Sequence, residues 1–386
     1  MLKVDYKKCT GCTACISACP KKCLEMREGK GGFQFPMPSG VAVCIGCGLC
    51  NQACPIFTPR PHLTGDTRAY AVYSQDTKER LESSSGGVFS LFARDVLSAG
   101  GIVYGAAYDR NFRVHHIAVT ETADLYRLRG AKYAQSDMNG IFSDVQKKLM
   151  ENRHVLFTGT PCQVSGLKTF LNREYENLIT IDFVCHGVPS PVAWSAYVKY
   201  RAKLDNKGVL PTTINLRSKS TGWSQYAYSI LFDYADGEKY LVESGHDLFM
   251  QLFVGDYINR KSCEDCQFKG YERQSDLTLG DFWGIWEIDS EMDDNKGTSL
   301  VLTHSQKGEK AFESVRNRLR AKEVSLEDAS RFNPSMLTSS TGRAERDEVL
   351  EKIRAGSFDA VSNIFESHSR FSRVKDKMKR ILKILK

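Results

Sequence analysis

The chain has 386 residues, 41% of them apolar and 26% charged, which is long enough for two or three domains around a sizeable core and too apolar for general disorder. Its formal charge of +7 belongs to one segment, since residues 370–386 set eight basic side chains against Asp376 alone; a basic body for nucleic acid is not supported. The start MLKVDYKK has no apolar leader core and no apolar run approaches membrane-spanning length, so the thirteen cysteines point to a reducing cytoplasm, where clustered thiols serve as metal ligands or catalysts.

Residues 1–56 form the first expected domain. They carry Cys9-x2-Cys12-x2-Cys15-x3-Cys19-Pro20 and then Cys44-x2-Cys47-x2-Cys50-x3-Cys54-Pro55, one pattern written twice. Three cysteines at this spacing wrap one iron–sulfur cubane, and the fourth ligand comes from the other repeat. Cys9, Cys12, Cys15 and Cys54 are thus expected to hold one [4Fe-4S] cluster, and Cys44, Cys47, Cys50 and Cys19 the second. The alternative, a pair of four-cysteine zinc sites, fits this spacing poorly. Cys23 reads as a loop thiol outside the repeat, and the proline-rich residues 57–67 read as a linker.

From Arg68 the pattern changes to mixed α/β, and residues 68–330 are expected to form the main domain. Strands are predicted over 69–74, 102–107 and 114–119, with helices over 86–97 and 141–150. Two short apolar runs, 154–158 and 178–184, suit strands buried inside a sheet. Each leads to a cysteine-bearing turn, Thr158-Gly-Thr-Pro-Cys162 and Asp182-Phe-Val-Cys185-His186. Open α/β sheets collect their ligands beyond strand ends of this kind, and a helix after Pro161 would aim its amides at a thiolate or an anionic group. Further on, a helix is predicted over 191–204 and strands over 212–217, 226–234 and 239–243, the last two joined at Asp236-Gly237. Cys263-x2-Cys266 then precedes Asp276-Leu-Thr-Leu-Gly-Asp281-Phe-Trp283. Residues 331–386 read as helical and charged.

Cys162, Cys185, Cys263 and Cys266 are all the cysteines outside the first domain, and four thiols are what either a third iron–sulfur cluster or a zinc ion demands. A third reading makes Cys162 a nucleophile with His186 as its base. Ser83-Ser-Ser-Gly-Gly-Val88 offers small residues through which amides approach a phosphate, although from this stretch alone a plain capped helix with a glycine turn is the better explanation. No G-x-G-x-x-G fingerprint supports a nicotinamide dinucleotide.

Six motifs in order, Ser85-Gly-Gly87, Lys132-Tyr-Ala-Gln-Ser136, Phe157-Thr-Gly-Thr-Pro-Cys-Gln163, Asp182-Phe-Val-Cys-His-Gly-Val-Pro-Ser190, Cys263-x2-Cys266 and Leu279-Gly-Asp-Phe-Trp283, resemble the family of coenzyme F(420) hydrogenase/dehydrogenase beta subunits over about residues 68–285. The resemblance implies an FAD and iron–sulfur oxidoreductase: a flavin-binding α/β domain with a mixed sheet behind a small ferredoxin-like α+β domain. It makes Cys162, Cys185, Cys263 and Cys266 ligands of a third [4Fe-4S] cluster. Ser85, Gly86, Gly87, Lys132, Tyr133, Gln135 and Ser136 become flavin contacts. His186, Lys132 and Asp281 are the candidate proton donor, phosphate partner and site organiser. The fused ferredoxin module is similar to a bacterial branch associated with cell-surface polysaccharide synthesis.

The expected partners are a redox protein, such as a ferredoxin, and a small-molecule or lipid-linked substrate, with no nucleic acid. An electron-transfer subunit without a substrate of its own is the rival reading. Phe371, Val374, Met378, Ile381, Leu382 and Leu385 share one face of a basic helical tail, which suits either peripheral contact with the inner membrane face or a solvated helix.

Overall fold

The computed structural model describes residues 2–362 apart from 4, 60–65, 225–227, 357 and 360. The basic tail and most of the expected linker lie outside the described residues.

In the first domain a short helix, α1 (Ala14–Ser17), precedes a hairpin of β1 (Leu24–Glu28) and β2 (Gln34–Pro38), and α2 (Leu49–Gln52) follows. Its two cysteine loops share one backbone path. Gly11 and Gly46 take φ of 72° and 71°, while Thr13 and Gly48 take 68° and 76°, left-handed values that let the chain curl around its thiols.

The main domain is built on β3 (Arg68–Ser74), α3 (Thr77–Leu81), α4 (Val88–Ser98), β4 (Ile102–Tyr108), β5 (Val114–Val119), α5 (Ile141–Met150), β6 (Val155–Thr158), α6 (Pro161–Leu171), β7 (Leu178–Phe183) and α7 (Pro191–Asn206). It continues through β8 (Thr213–Ser218), β9 (Ser229–Asp233), β10 (Lys239–Glu243), α8 (Leu248–Val254), β11 (Leu277–Asp281), α9 (Ile285–Ile288), β12 (Ser299–Thr303), α10 (Gln306–Val315), β13 (Leu319–Val324), α11 (Leu326–Arg331) and α12 (Arg346–Arg354). Eight strands form one mixed sheet in the order β13-β3-β12-β11-β7-β6-β4-β5. The pairs β11/β7, β7/β6 and β6/β4 are parallel, and the flanking pairs are antiparallel. Strands β8, β9 and β10 make a separate antiparallel sheet.

Alternation assigns the two faces of the large sheet. Val103 and Leu156 pack with Leu91 and Phe92 of α4 and Phe312 of α10. Ile102, Tyr104, Val155 and Phe157 face Phe142 of α5 and Val164 and Leu167 of α6. Truncating a fully buried ring such as Phe157 typically costs about 3–5 kcal/mol. The first domain is wedged into this body. Phe33 and Phe35 share a core with Trp194 and Tyr197 of α7 and Leu350 of α12, and the Ser190 hydroxyl, which caps α7, donates to the Gly31 carbonyl at 2.6 Å.

The helix predicted from Gly86 begins at Val88, because Gly87 takes φ of 86° as its cap. The strand predicted over 226–234 is Ser229–Asp233 where it is described. No reading of the sequence marked β12 and β13. Ser299–Thr303 is buried throughout, and its three-residue apolar run, Leu300 to Leu302, carries no period of its own. At the sheet edge, β13 exposes Arg320, Lys322 and Glu323, and so reads as helical or irregular. Among the described residues no helix is long and apolar enough to cross a membrane.

Candidate functional site

The crossed ligand sets of the repeat come together in space. Cys9, Cys12, Cys15 and Cys54 line one cavity with apolar walls that include Met26, Ile56 and Phe57. Cys19, Cys44, Cys47 and Cys50 line a second. Cys23 lines it too: its amide donates to the Cys19 sulfur at 3.3 Å and its thiol to the Val43 carbonyl at 3.5 Å. The two cavities differ in exposure. Cys44 and Cys47 are exposed, as are Val41 and Val43 at 87% each, whereas Cys12 is buried.

The inner cavity sits against α6. Pro161 opens that helix and the Thr160 amide donates to the Gln163 side chain at 2.9 Å, which places Cys162 in the first turn. A side chain at Gly166, one turn on, would bring its Cβ within 2.8 Å of the Cys12 sulfur. The bare helix backbone therefore lets the Cys12 loop seat directly on it. Cys185 follows β7, Cys263 ends the short turn Lys261–Cys263, and Cys266 lies just beyond.

These last four thiols face one another. Burial pushes Cys162 up, and the charges of Cys266, Cys185 and Cys12 push it further. Cys185 and Cys263 are each pushed up to about 12, by burial first and then by neighbours within the same set. Such a quartet favours being thiolate only around a cation, which fits a cluster. Lys269 donates to the Cys185 carbonyl, and the segment after residue 330 closes the site: Ser339 Oγ accepts from the Cys266 amide at 3.0 Å and the Ser340 amide donates to the Cys263 carbonyl at 3.2 Å. Among the described residues no three His, Cys, Asp or Glu side chains meet closely enough to hold a single ion.

His186, the base that the nucleophile reading needs, has both ring nitrogens engaged by other partners: its Nε2 lies 3.0 Å from Asp256 and its Nδ1 3.2 Å from the Ser335 hydroxyl. Its ring packs edge-on against Phe253.

Apart from the quartet, a basic and aromatic region, the basin, centres on buried Arg217 with the half-buried Lys219 and Lys132. Arg217 pairs with Asp281 at 2.8 Å and spreads over Tyr228 and Trp283. Trp283 stacks on Trp223 at 4.6 Å, and the Trp223 indole donates to the Ser84 carbonyl. Lys219 donates to the carbonyls of Arg80 and Ser85, and Lys132 to those of Arg129 and Gly130. Burial lowers both lysines to about 7. Tyr133 joins the basin through Phe253 and the charge of Arg217.

The seven predicted flavin contacts divide. Ser85, Gly86, Gly87, Lys132 and Tyr133 border the basin, with the Gly86 amide held by Ser299 Oγ at 2.8 Å and Gly87 opening α4 without a side-chain cap. Gln135 and Ser136 turn away: Gln135 accepts from Arg260 at 2.8 Å, and Ser136 meets His116 at 2.7 Å. Lys132, Asp281 and His186 are each held by different partners. Arg217, Lys219, Trp223 and Arg260 were missed. Arg217-Ser-Lys-Ser-Thr-Gly-Trp223 carried a signal, two cations and an indole at the end of a strand.

Residues 152–329 match the C-terminal part of the coenzyme F(420) hydrogenase/dehydrogenase beta subunit, and residues 8–57 match the 4Fe-4S dicluster domain. The chain thus carries a stretch of that beta-subunit family behind a 4Fe-4S dicluster domain. The matches support an iron–sulfur redox protein related to that family, with an N-terminal 4Fe-4S module. Its family-matched stretch contains the whole Cys162, Cys185, Cys263 and Cys266 quartet together with Arg217 and Trp283. A curated relative is a subunit of the F(420)H(2) dehydrogenase of Methanosarcina mazei, 23% identical over 189 residues, 46% of this chain and 53% of the relative. The chain thus spans about half the length of that relative. An uncharacterized protein of Porphyra purpurea is 38% identical over 50 residues, 13% of this chain and 67% of that protein. Among solved structures, the xenon-derivatised F(420)-reducing [NiFe] hydrogenase complex of Methanosarcina barkeri aligns with a TM-score of 0.45 at 13% identity, over 66% of this chain and 81% of that one.

Proposed function

We propose that this protein is an iron–sulfur flavoprotein oxidoreductase that moves electrons between a redox partner at its exposed end and an organic two-electron substrate at its buried end. The observation that carries the reading is the order of the thiols. The exposed Cys19/Cys44/Cys47/Cys50 set comes first, then the Cys9/Cys12/Cys15/Cys54 set, with Cys12 seated on α6 where Cys162 begins the third. When bound, [4Fe-4S] clusters and FAD supply one-electron relay and its conversion to two-electron chemistry.

The chain's own residues would do the rest. Lys132 and Lys219 donate only to carbonyls among the described residues. Two half-buried amines lowered toward neutrality suit the phosphates of a dinucleotide such as FAD, whose charge would keep both protonated. The first turn of α4, uncapped by any side chain, adds amides to the same wall. Tyr133, Trp223 and Trp283 supply flat apolar surface, and Asp281 fixes Arg217. His186, paired with Asp256 and adjacent to Cys185, would serve as the proton donor.

Anaerobic purification tests this. A brown protein with about twelve irons for three cubanes and one releasable FAD is expected; a colourless protein with stoichiometric zinc overturns it. The rival reading, a subunit with no substrate of its own, is favoured by the relative in Methanosarcina mazei being one subunit of a dehydrogenase. Under it, dithionite reduces the flavin but no small molecule turns over until a partner protein is added. A precursor of cell-surface polysaccharide is the acceptor to assay first, as the bacterial branch implies.

A further inference from the structure

Arg260 is 2% exposed, among the most deeply buried large side chains of the protein. A guanidinium remains ionised in any protein environment, and a buried charge is costly unless an opposite charge meets it. Yet among the described residues Arg260 forms no ion pair. Its Nε donates to the Cys9 carbonyl at 2.7 Å, its Nη1 to Gln135 Oε1 at 2.8 Å and its Nη2 to the Gln34 carbonyl at 3.0 Å. Phe35 and Phe33 lie under its plane at 4.3 and 5.4 Å. Each of its three nitrogens donates to a neutral group, so among the described residues the charge itself meets no acid.

Its position supplies the missing anions. The side chain reaches into the wall of the inner cavity, which Gly11 lines. A Cβ at Gly11 would stand 3.0 Å from the Arg260 Nη1, so this left-handed glycine makes room for the cation as well as for the loop. The backbone of the same residue serves the other site, since the Arg260 carbonyl accepts from the Cys263 amide at 2.9 Å. One residue thus touches the Cys9 loop with its side chain and the Cys263 turn with its main chain.

We propose that Arg260 is the shared counter-charge of the inner ferredoxin-type cluster and the third cluster, a positioning residue that holds both potentials up and favours electron residence between them. This rests on the proposed iron–sulfur function. Net charge and hydrogen bonding around a cluster are among the terms that set its potential, and a cation in low dielectric acts strongly over the short distances involved. The exposed Cys19/Cys44/Cys47/Cys50 set, whose cavity is lined by none of the residues that Arg260 touches, serves as the internal reference.

The test is an EPR-monitored redox titration of the anaerobically prepared holoprotein, wild type against Arg260→Met and Arg260→Lys, with iron counted in each. With iron retained, Arg260→Met is expected to shift the inner and third potentials negative while the exposed cluster keeps its own. Arg260→Lys keeps the charge but loses the fork of donors, and its potentials are expected to stay near wild type. If the methionine variant fails to load, the lysine variant alone decides: full iron with both potentials fallen means that hydrogen bonding, not charge, is the role, and the inference is wrong. Unmoved potentials in an iron-replete methionine variant overturn it as well, as does an equal shift of all three. Iron-free wild-type protein refutes the functional reading beneath it, which is a separate and recognisable outcome.

Discussion

The two halves of the cysteine repeat have one spacing and one backbone path, yet they occupy different worlds. The Cys9 loop is pressed onto α6, with Cys12 buried, Thr13 buried and Ala14 wholly enclosed. The Cys44 loop stands in solvent beside Val41, Val43 and Ile45, all exposed. A spacing pattern sets which atoms can be gathered. The surface against which each copy packs sets what the gathered atoms can do: under the proposed function, one copy would serve as a port and the other as a relay.

The largest effect should come from breaking the inner end. Cys162→Ser is expected to lose about four of about twelve irons and to stop substrate turnover. Cys44→Ser loses a similar share but leaves the flavin reducible by dithionite, a small donor that needs no port. If dithionite reduction fails equally in both variants, the division into port and relay is wrong. Air sharpens the same contrast. Iron held by the exposed set should be lost several-fold faster than the rest, followed by EPR during timed exposure, and simultaneous loss would mean that exposure does not govern lability.

Acid probes the inner region through His116. Burial lowers this imidazole to about 4, where it bridges Ser136 and the Thr158 carbonyl at 2.7 and 2.9 Å. The unfolded chain binds a proton there near pH 6.5 and the folded one does not until about pH 4, so stability falls as pH drops through that window. The total is about 3 kcal/mol. His116→Gln should flatten denaturant-derived stability between those pH values, and an unchanged slope would exclude the histidine as the cause. The smallest effect belongs to Gly166→Ala. A glycine-to-alanine change inside a helix usually gains about 1 kcal/mol. Here the new methyl meets the Cys12 sulfur, and overpacking at about 1–3 kcal/mol should cancel or reverse the gain in a chemical melt. A net gain would show that the Cys12 loop yields easily.

How much of this could be read from the residues follows from where the information lies. The cluster repeat was legible because its ligands are local in sequence and their spacing is chemically exclusive. The central strands were legible as apolar runs before cysteine turns. The quartet could be counted but not assembled, since its members come from the end of β7, the start of α6 and a distant turn, and only the parallel pairing of β6, β7 and β11 brings them together. The division of Gln135 and Ser136 from Lys132 and Tyr133 was hidden, because an irregular stretch has no period to say which way its side chains turn. Arg260 looked like one more basic residue ahead of a cysteine pair. Nothing local announces that a cation will be buried without an acid.

Gly166 has a further consequence. An absent side chain on α6 sets the thickness of the insulating layer between the Cys12 thiol and the helix that begins at Pro161, next to Cys162. Electron tunnelling falls off exponentially with the width of such a layer, so the first atom of any larger residue there would act less as a wedge than as a resistor. The smallest residue in the helix is, in that sense, the conductor of the chain.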